Sequence, residues 1–120
     1  MPSDQIFTQK VPYGVEAEQA VIGSMLIDPK CVPSVIEIVS ENDFYIETNR
    51  LIFETISYMF TSGVIIDPVT VIDKMKERGV YDEQNTLEYF KQLMDITPTA
   101  ANVRQYCGIV HDKALLRAID

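Results

Sequence analysis

Apolar residues recur along this chain at the spacing of helices rather than strands. Val21, Ile22, Met25 and Leu26 fall at i, i+1, i+4 and i+5 and predict a first helix over about Val15–Ile27. Gly14 serves as its N-cap, and Glu16 and Glu18 sit in its first turn, where negative charge suits the helix dipole. Gly23 lies mid-helix at a cost of about 1 kcal/mol against alanine, which calls for close approach of a neighbouring helix. Asp28-Pro29 ends the element, and a short apolar helix follows over about Val32–Val39. Ser40-Glu-Asn-Asp43 has capping-box form and starts a single turn carrying Phe44 and Tyr45. Ile52, Phe53, Ile56, Met59 and Phe60 predict the buried face of a helix over about Asn49–Ser62, capped by Thr48, with Glu54, Thr55, Ser57 and Thr61 on the other side.

Gly63 stops that helix. Val64-Ile65-Ile66 has no partner strand elsewhere and reads as a buried loop. Asp67-Pro68 is a helix start, with Asp as N-cap and Pro at the first helical position, and Arg78-Gly79 is the matching stop. Asn85 opens a further helix to about Ile96, and Pro98-Thr99 opens a last one that runs to Asp120. The expected fold class is all-α, a compact globule of about six short helices whose last member extends toward a helical hairpin. The organisation reads as a loose polar tail at 1–10, a helical globule over 11–98, and the last helix over 99–120.

Composition narrows the function. A chain of 120 residues holds one core. The net charge of −8 argues against direct nucleic-acid binding, because phosphate neutralisation needs a basic face. Two cysteines are too few for a secreted disulfide scaffold, so a reducing cytosol is the default. No apolar stretch approaches the length of a membrane span, and no signal peptide is visible.

Candidate chemistry is sparse. The five glycines are isolated, so no phosphate-cradling loop can be built from them. Cys107 and His111 share a helix face at i, i+4 but make only half of a metal site. His111 reads as a surface or groove histidine, with no nucleophile at hand to activate. Asp73 and Glu77 sit among Lys74, Lys76 and Arg78 as a solvated mixed-charge face. The aromatic residues lack an interleaved basic patch, so packing accounts for them better than base stacking does. A small helix-turn-helix regulator is a competing class, but the helix opening at Pro68 begins Pro-Val-Thr-Val-Ile and carries no base-reading side chains in its first turns. A small hydrolase is another, and it lacks a nucleophile, base and orienting group at recognisable spacing.

The last helix carries more apolar surface than one globule needs. Val103, Cys107, Val110, Ala114 and Ala118 form a narrow stripe suited to docking on the domain, while Leu115, Leu116 and Ile119 point elsewhere. The reading is that this end packs against another subunit, or that the chain is a piece of a longer protein.

Several segments together resemble one family. Glu16-Ala-Glu-Gln-Ala-Val-Ile-Gly-Ser-Met-Leu26 is similar to the opening helix of DnaB-type replicative DNA helicases. Asp43-Phe-Tyr45 followed by Asn49-Arg-Leu-Ile-Phe-Glu-Thr-Ile56 resembles that family's next signature. Ile66-Asp-Pro-Val-Thr-Val71, and Pro98-Thr-Ala-Ala-Asn-Val103 leading to Lys113-Ala-Leu-Leu-Arg117, resemble later ones, in the family's order across Val11–Asp120. Gln84-Asn85 stands where relatives often carry Gly-Gly, which changes a loop.

The resemblance implies a non-catalytic N-terminal collar domain of a hexameric ring helicase, assembled as a trimer of dimers through helical hairpins, with this chain ending inside the first hairpin helix. It implies docking of primase and, in some systems, of a helicase loader. It also implies that ATP and magnesium belong to a C-terminal motor, leaving no cofactor, metal or catalytic residue in this chain. The equivalent domain of a phage or paralogous DnaB-like helicase fits the same residues. The assembly and partner surface is assigned to Tyr106, Lys113, Leu115, Leu116, Arg117 and Ile119 on the last helix.

Overall fold

A computed structural model describes residues 14–119; the tail expected at 1–10 lies outside the described residues. Among these residues there are six α-helices, two 3-10 turns and no strand. Helix α1 spans Val15–Ile27 and α2 Val32–Ile38, with a 3-10 turn at Pro29–Cys31 between them. A second 3-10 turn at Glu41–Asp43 leads into α3, Glu47–Thr61. Then come α4 (Pro68–Glu77), α5 (Thr86–Ile96) and α6 (Val103–Ala118).

Helix α1 is the centre of the fold. Ala17, Glu18, Val21, Ile22, Gly23, Ser24, Met25 and Leu26 are all buried, so it is covered on most sides rather than along one stripe. It packs chiefly against α6 and α5, and also touches α3 and α2. Its partners bring Ile52, Ile56 and Met59 from α3, Phe90 and Leu93 from α5, and Val103, Cys107 and Val110 from α6. Gly23 is where α5 comes closest. A Cβ there would lie 2.2 Å from Thr97 Oγ1, 2.8 Å from Thr97 Cβ and 3.0 Å from the Leu93 carbonyl oxygen. Gly23→Ala gains about 1 kcal/mol of helix propensity. It also forces the end of α5 away, and overpacking of this kind costs about 1–3 kcal/mol. Because one obstacle is backbone, the net result should be a loss of about 1–2 kcal/mol in chemical denaturation. A stabilised variant would show that α5 yields freely.

Local chemistry sets several boundaries as expected. The Asp67 carboxylate accepts the Thr70 N–H at 2.8 Å, and the Asp67 N–H donates to Thr70 Oγ1 at 2.9 Å, with Pro68 at the first helical position. Gly63 and Gly79 take left-handed backbone at φ 72° and 75° to stop α3 and α4.

Elsewhere the structure differs from the sequence reading. Helix α3 begins at Glu47 rather than Asn49, and Thr48 is not its cap. The chain is fixed there by Glu18 of α1, whose carboxylate accepts the Tyr45 and Ile46 N–H groups at 2.6 and 3.2 Å. Thr55 is fully buried, because its hydroxyl donates to the Leu51 carbonyl and accepts from Arg78 at 2.8 Å, while Phe60 is 41% exposed. Asn85 makes no side-chain cap of α5. Asp82 organises that entry instead, accepting the Thr86 N–H on its carbonyl and the Asn85 side-chain amide on its carboxylate. Helix α6 starts at Val103, not at Pro98-Thr99, because Thr99 Oγ1 draws the Ala101 N–H into a local turn at 3.1 Å. The run Val64-Ile65-Ile66 is not a buried loop: Val64 and Ile65 are exposed, and only Ile66 is partly covered.

Candidate docking surface

Two features singled out by the sequence, the Asp43-Phe-Tyr45 segment and the last helix, meet in space. The Asp43 carboxylate accepts the Ser40 N–H at 3.1 Å and closes the 3-10 turn. The same oxygen lies 3.2 Å from His111 Nδ1 on α6. One and a half turns further along, Arg117 donates to the Asp43 carbonyl at 2.8 Å, and its guanidinium carbon stands 5.4 Å from the centre of the exposed Tyr45 ring. Phe44 points inward, 5.0 Å from the Phe53 ring, and anchors this corner to α3. His111 is therefore a groove histidine facing a carboxylate, and the corner ties the C-terminal half of α6 to the globule.

The six residues assigned to the assembly surface do not all face the same way. Leu115, Leu116 and Ile119 are 54%, 52% and 76% exposed and stand at i, i+1 and i+4, so they share one outward face. Tyr106 is half-buried against the core. Lys113 is half-buried too, with its Cγ 3.1 Å from where a Gly14 Cβ would stand, so its stem lies over the start of α1. Arg117 is engaged with Asp43 and Tyr45, as described above. Helix α6 buries Val103, Cys107 and Val110 in its first half and nothing beyond them.

The remaining candidate chemistry is otherwise occupied. Burial pushes the Cys107 thiol up to about 12 and the Cys31 thiol up to about 11, which disfavours thiolate as nucleophile or ligand. Among the described residues, no three His, Cys, Asp or Glu side chains are placed to hold a metal ion. A cleft of about 260 Å³ lies between the start of α5 and Thr48 of α3. Its Asp82 carboxylate is spent on Asn85 and the Gln84 N–H, which hold it below the usual carboxylate range. Lys74 pairs with Glu77 at 2.9 Å, in keeping with a solvated mixed-charge face on α4.

Sequence reasoning missed a buried polar network. Glu18, fully buried, also accepts from Asn49 Nδ2 at 3.1 Å, and Asn49 in turn accepts the Tyr89 hydroxyl. Burial pushes the Tyr89 hydroxyl's pKa up, against the lowering effect of its hydrogen bonds to Gln19 and Asn49. The network joins α1, α3 and α5. The sequence showed Glu16 and Glu18 only as acids in the first turn of α1, and that position does not distinguish a buried glutamate from a solvated one.

Residues 10–112 match the family model described as the DnaB-like helicase N-terminal domain. The chain is 35% identical over 108 residues to the replicative DNA helicase DnaB of Leifsonia xyli subsp. xyli, covering 90% of this chain and 24% of that protein. It is likewise 35% identical over 108 residues to DnaB of Haemophilus influenzae, covering 90% and 23%. The chain thus spans about a quarter of the length of these relatives. The crystal structure of the N-terminal domain of DnaB helicase from Mycobacterium tuberculosis superposes with a TM-score of 0.85 at 33% identity, covering 91% of this chain and 79% of that one. The N-terminal domain of DnaB helicase from Helicobacter pylori, described together with its interactions with primase, superposes with a TM-score of 0.72 at 19% identity, covering 86% and 80%.

Proposed function

The chain belongs to the DnaB-like helicase N-terminal domain family, and on that premise we propose that it is the non-catalytic collar domain of a replicative DNA helicase, assembling the ring and docking primase. The observation that carries the reading is the end of α6, where Leu115, Leu116 and Ile119 stand exposed on one face of a helix already packed on its other side. A returning hairpin helix and the hairpin of a neighbouring subunit would cover them, giving a dimer as the unit of a hexameric ring. Primase is the first partner, by analogy with the Helicobacter pylori domain, and a helicase loader is the second. ATP and magnesium work in the parent's motor, since the isolated glycines here supply no converging N–H groups for phosphate. Single-stranded DNA is held by the motor as well, because a chain of net charge −8 repels phosphate. The setting is the cytoplasm.

Covering what is still exposed of the three side chains contributes roughly 3–5 kcal/mol gross per chain. Association costs about 4–15 kcal/mol, so this chain alone should form at best a weak dimer. Sedimentation equilibrium should find it largely monomeric at micromolar concentration, and a version extended through the hairpin should dimerise much more tightly. In the extended version Leu116→Glu and Ile119→Glu should abolish the dimer without lowering the melting temperature of the globule. If both variants unfolded the globule and left the dimer intact, this end would belong to the core and the assembly role would fall.

A further inference from the structure

We propose that Val11-Pro12-Tyr13, the segment just ahead of Gly14 and α1, is a strap that lies on the outer flank of α6 between Ile109 and Leu116, and lifts from Leu116 when a neighbouring subunit packs there. The start of α1 builds the seat. Gly14 stands against α6: a Cβ on it would lie 3.1 Å from Lys113 Cγ and 3.7 Å from Lys113 Cβ. Ile109, Lys113 and Leu116 fall at i, i+4 and i+7, so they form one stripe of α6 with Lys113 in the middle. Ile109 is 37% exposed and Leu116 52%. The chain therefore enters the domain between two apolar side chains that the described residues leave open to water.

Connectivity names the occupant. Along the helix axis Leu116 is about 4.5 Å and Ile109 about 6 Å from Lys113. Each residue of extended chain spans about 3.3–3.6 Å, so Tyr13 and Val11 reach these side chains without a loop. A segment tethered this close meets the stripe at an effective concentration on the order of millimolar. Its chemistry fits the seat. Val11 and the Tyr13 ring are apolar, and the tyrosine hydroxyl stays in water at the edge. Pro12 fixes its own φ and holds the residue before it to extended backbone, so closing costs little conformational freedom. Gly14 turns the chain with left-handed backbone at φ 62°, where a side chain would be strained and would crowd the Lys113 stem. The range matched to the family begins at residue 10, so the segment lies inside the shared domain. The strap itself stands on the geometry of Gly14 and α6; its competition with a subunit for Leu116 rests on the collar reading. A strap closed about nine-tenths of the time weakens apparent self-association about tenfold.

Nuclear magnetic resonance on this chain tests the seat. Nuclear Overhauser cross-peaks should connect the Tyr13 ring to methyl groups of Ile109 and Leu116, and should vanish in Tyr13→Ser. In an equal mixture of isotope-labelled and unlabelled chains they should stay within one chain. Their absence from the wild type would overturn the strap, whatever the assembly of the protein. Cross-peaks running between labelled and unlabelled chains would make the occupant a second copy and overturn it too. Sedimentation of the version extended through the hairpin tests the lifting. Val11→Ser combined with Tyr13→Ser should dimerise about tenfold more tightly than the wild type, whereas Tyr13→Phe, which keeps the ring, should match it. The melting temperature of the globule should not change, because the strap lies outside the core. If the extended chain failed to dimerise with or without these changes, the collar reading would lose its assembly end and the lifting step would fall with it. If it dimerised equally tightly in all three forms, assembly would stand and the lifting step would be overturned.

Discussion

Glu18→Ala should destabilise the domain by about 3–5 kcal/mol, a large share of the stability of a chain this size. The carboxylate is fully buried and accepts from the Tyr45 N–H, the Ile46 N–H and Asn49 Nδ2. These donors stand at the start of α3, so the charge also lies at the positive end of that helix's dipole. Alanine leaves the donors buried without an acceptor, at about 1–3 kcal/mol for each that water cannot reach. Glu18→Gln should fall between, since its amide keeps one acceptor oxygen and turns an N–H₂ group toward a second donor. Urea denaturation measures both losses. A cost under about 1 kcal/mol for alanine would mean that the Tyr45 and Ile46 N–H groups find other partners, and that Glu18 does not hold the entry to α3.

Several of the residues that misled the sequence reading share one cause with Glu18: their partners are distant in the chain. Asp67 with Pro68, and the left-handed Gly63 and Gly79, act within a few residues of themselves, and those boundaries were readable. The start of α3 was not, because its anchor lies 27 and 28 residues earlier, on another helix. Thr55 looked solvent-facing until Arg78, just past the end of α4, came to cover it. The stretch from Val64 to Ile66 looked buried because apolarity alone suggests a core, whereas the turn at Gly63 and the cap at Asp67 hold most of it outside. The same distinction runs through α6. The outward aliphatics were legible from the excess of apolar residues around the helix. The inward engagement of Arg117 was not, since its acceptor on Asp43 is 74 residues away. Gly23 lies between these cases: a glycine inside a helix signals that something comes close, but only the fold shows that it is the end of α5.

Phe53→Ala should cost about 3–5 kcal/mol, the usual range for emptying a buried phenylalanine site. Phe53 is 3% exposed on the inner face of α3, beside the fully buried Ile52 and Ile56. Its ring stands 5.0 Å from that of Phe44 at a tilt of 37°, an offset arrangement worth about 0.5–1.5 kcal/mol beyond the area buried. A double-mutant cycle with Phe44→Ala isolates that coupling, because each single change removes the same ring contact. Phe53→Leu should recover most of the loss by filling the volume without restoring the aromatic pair. The loss should reach α6 as well. Phe44 lies between Asp43 and Tyr45, the residues that receive His111 and Arg117. With its support gone, the C-terminal half of α6 should open more often than the rest of the domain, and amide hydrogen exchange should show lower protection from His111 onward than in Phe53→Leu. If exchange in α6 stayed equal in the two variants while global stability differed by the expected amount, the corner would not couple the core to the end of α6. The orientation of Leu115, Leu116 and Ile119 would then be set by α6's own packing through Val103, Cys107 and Val110.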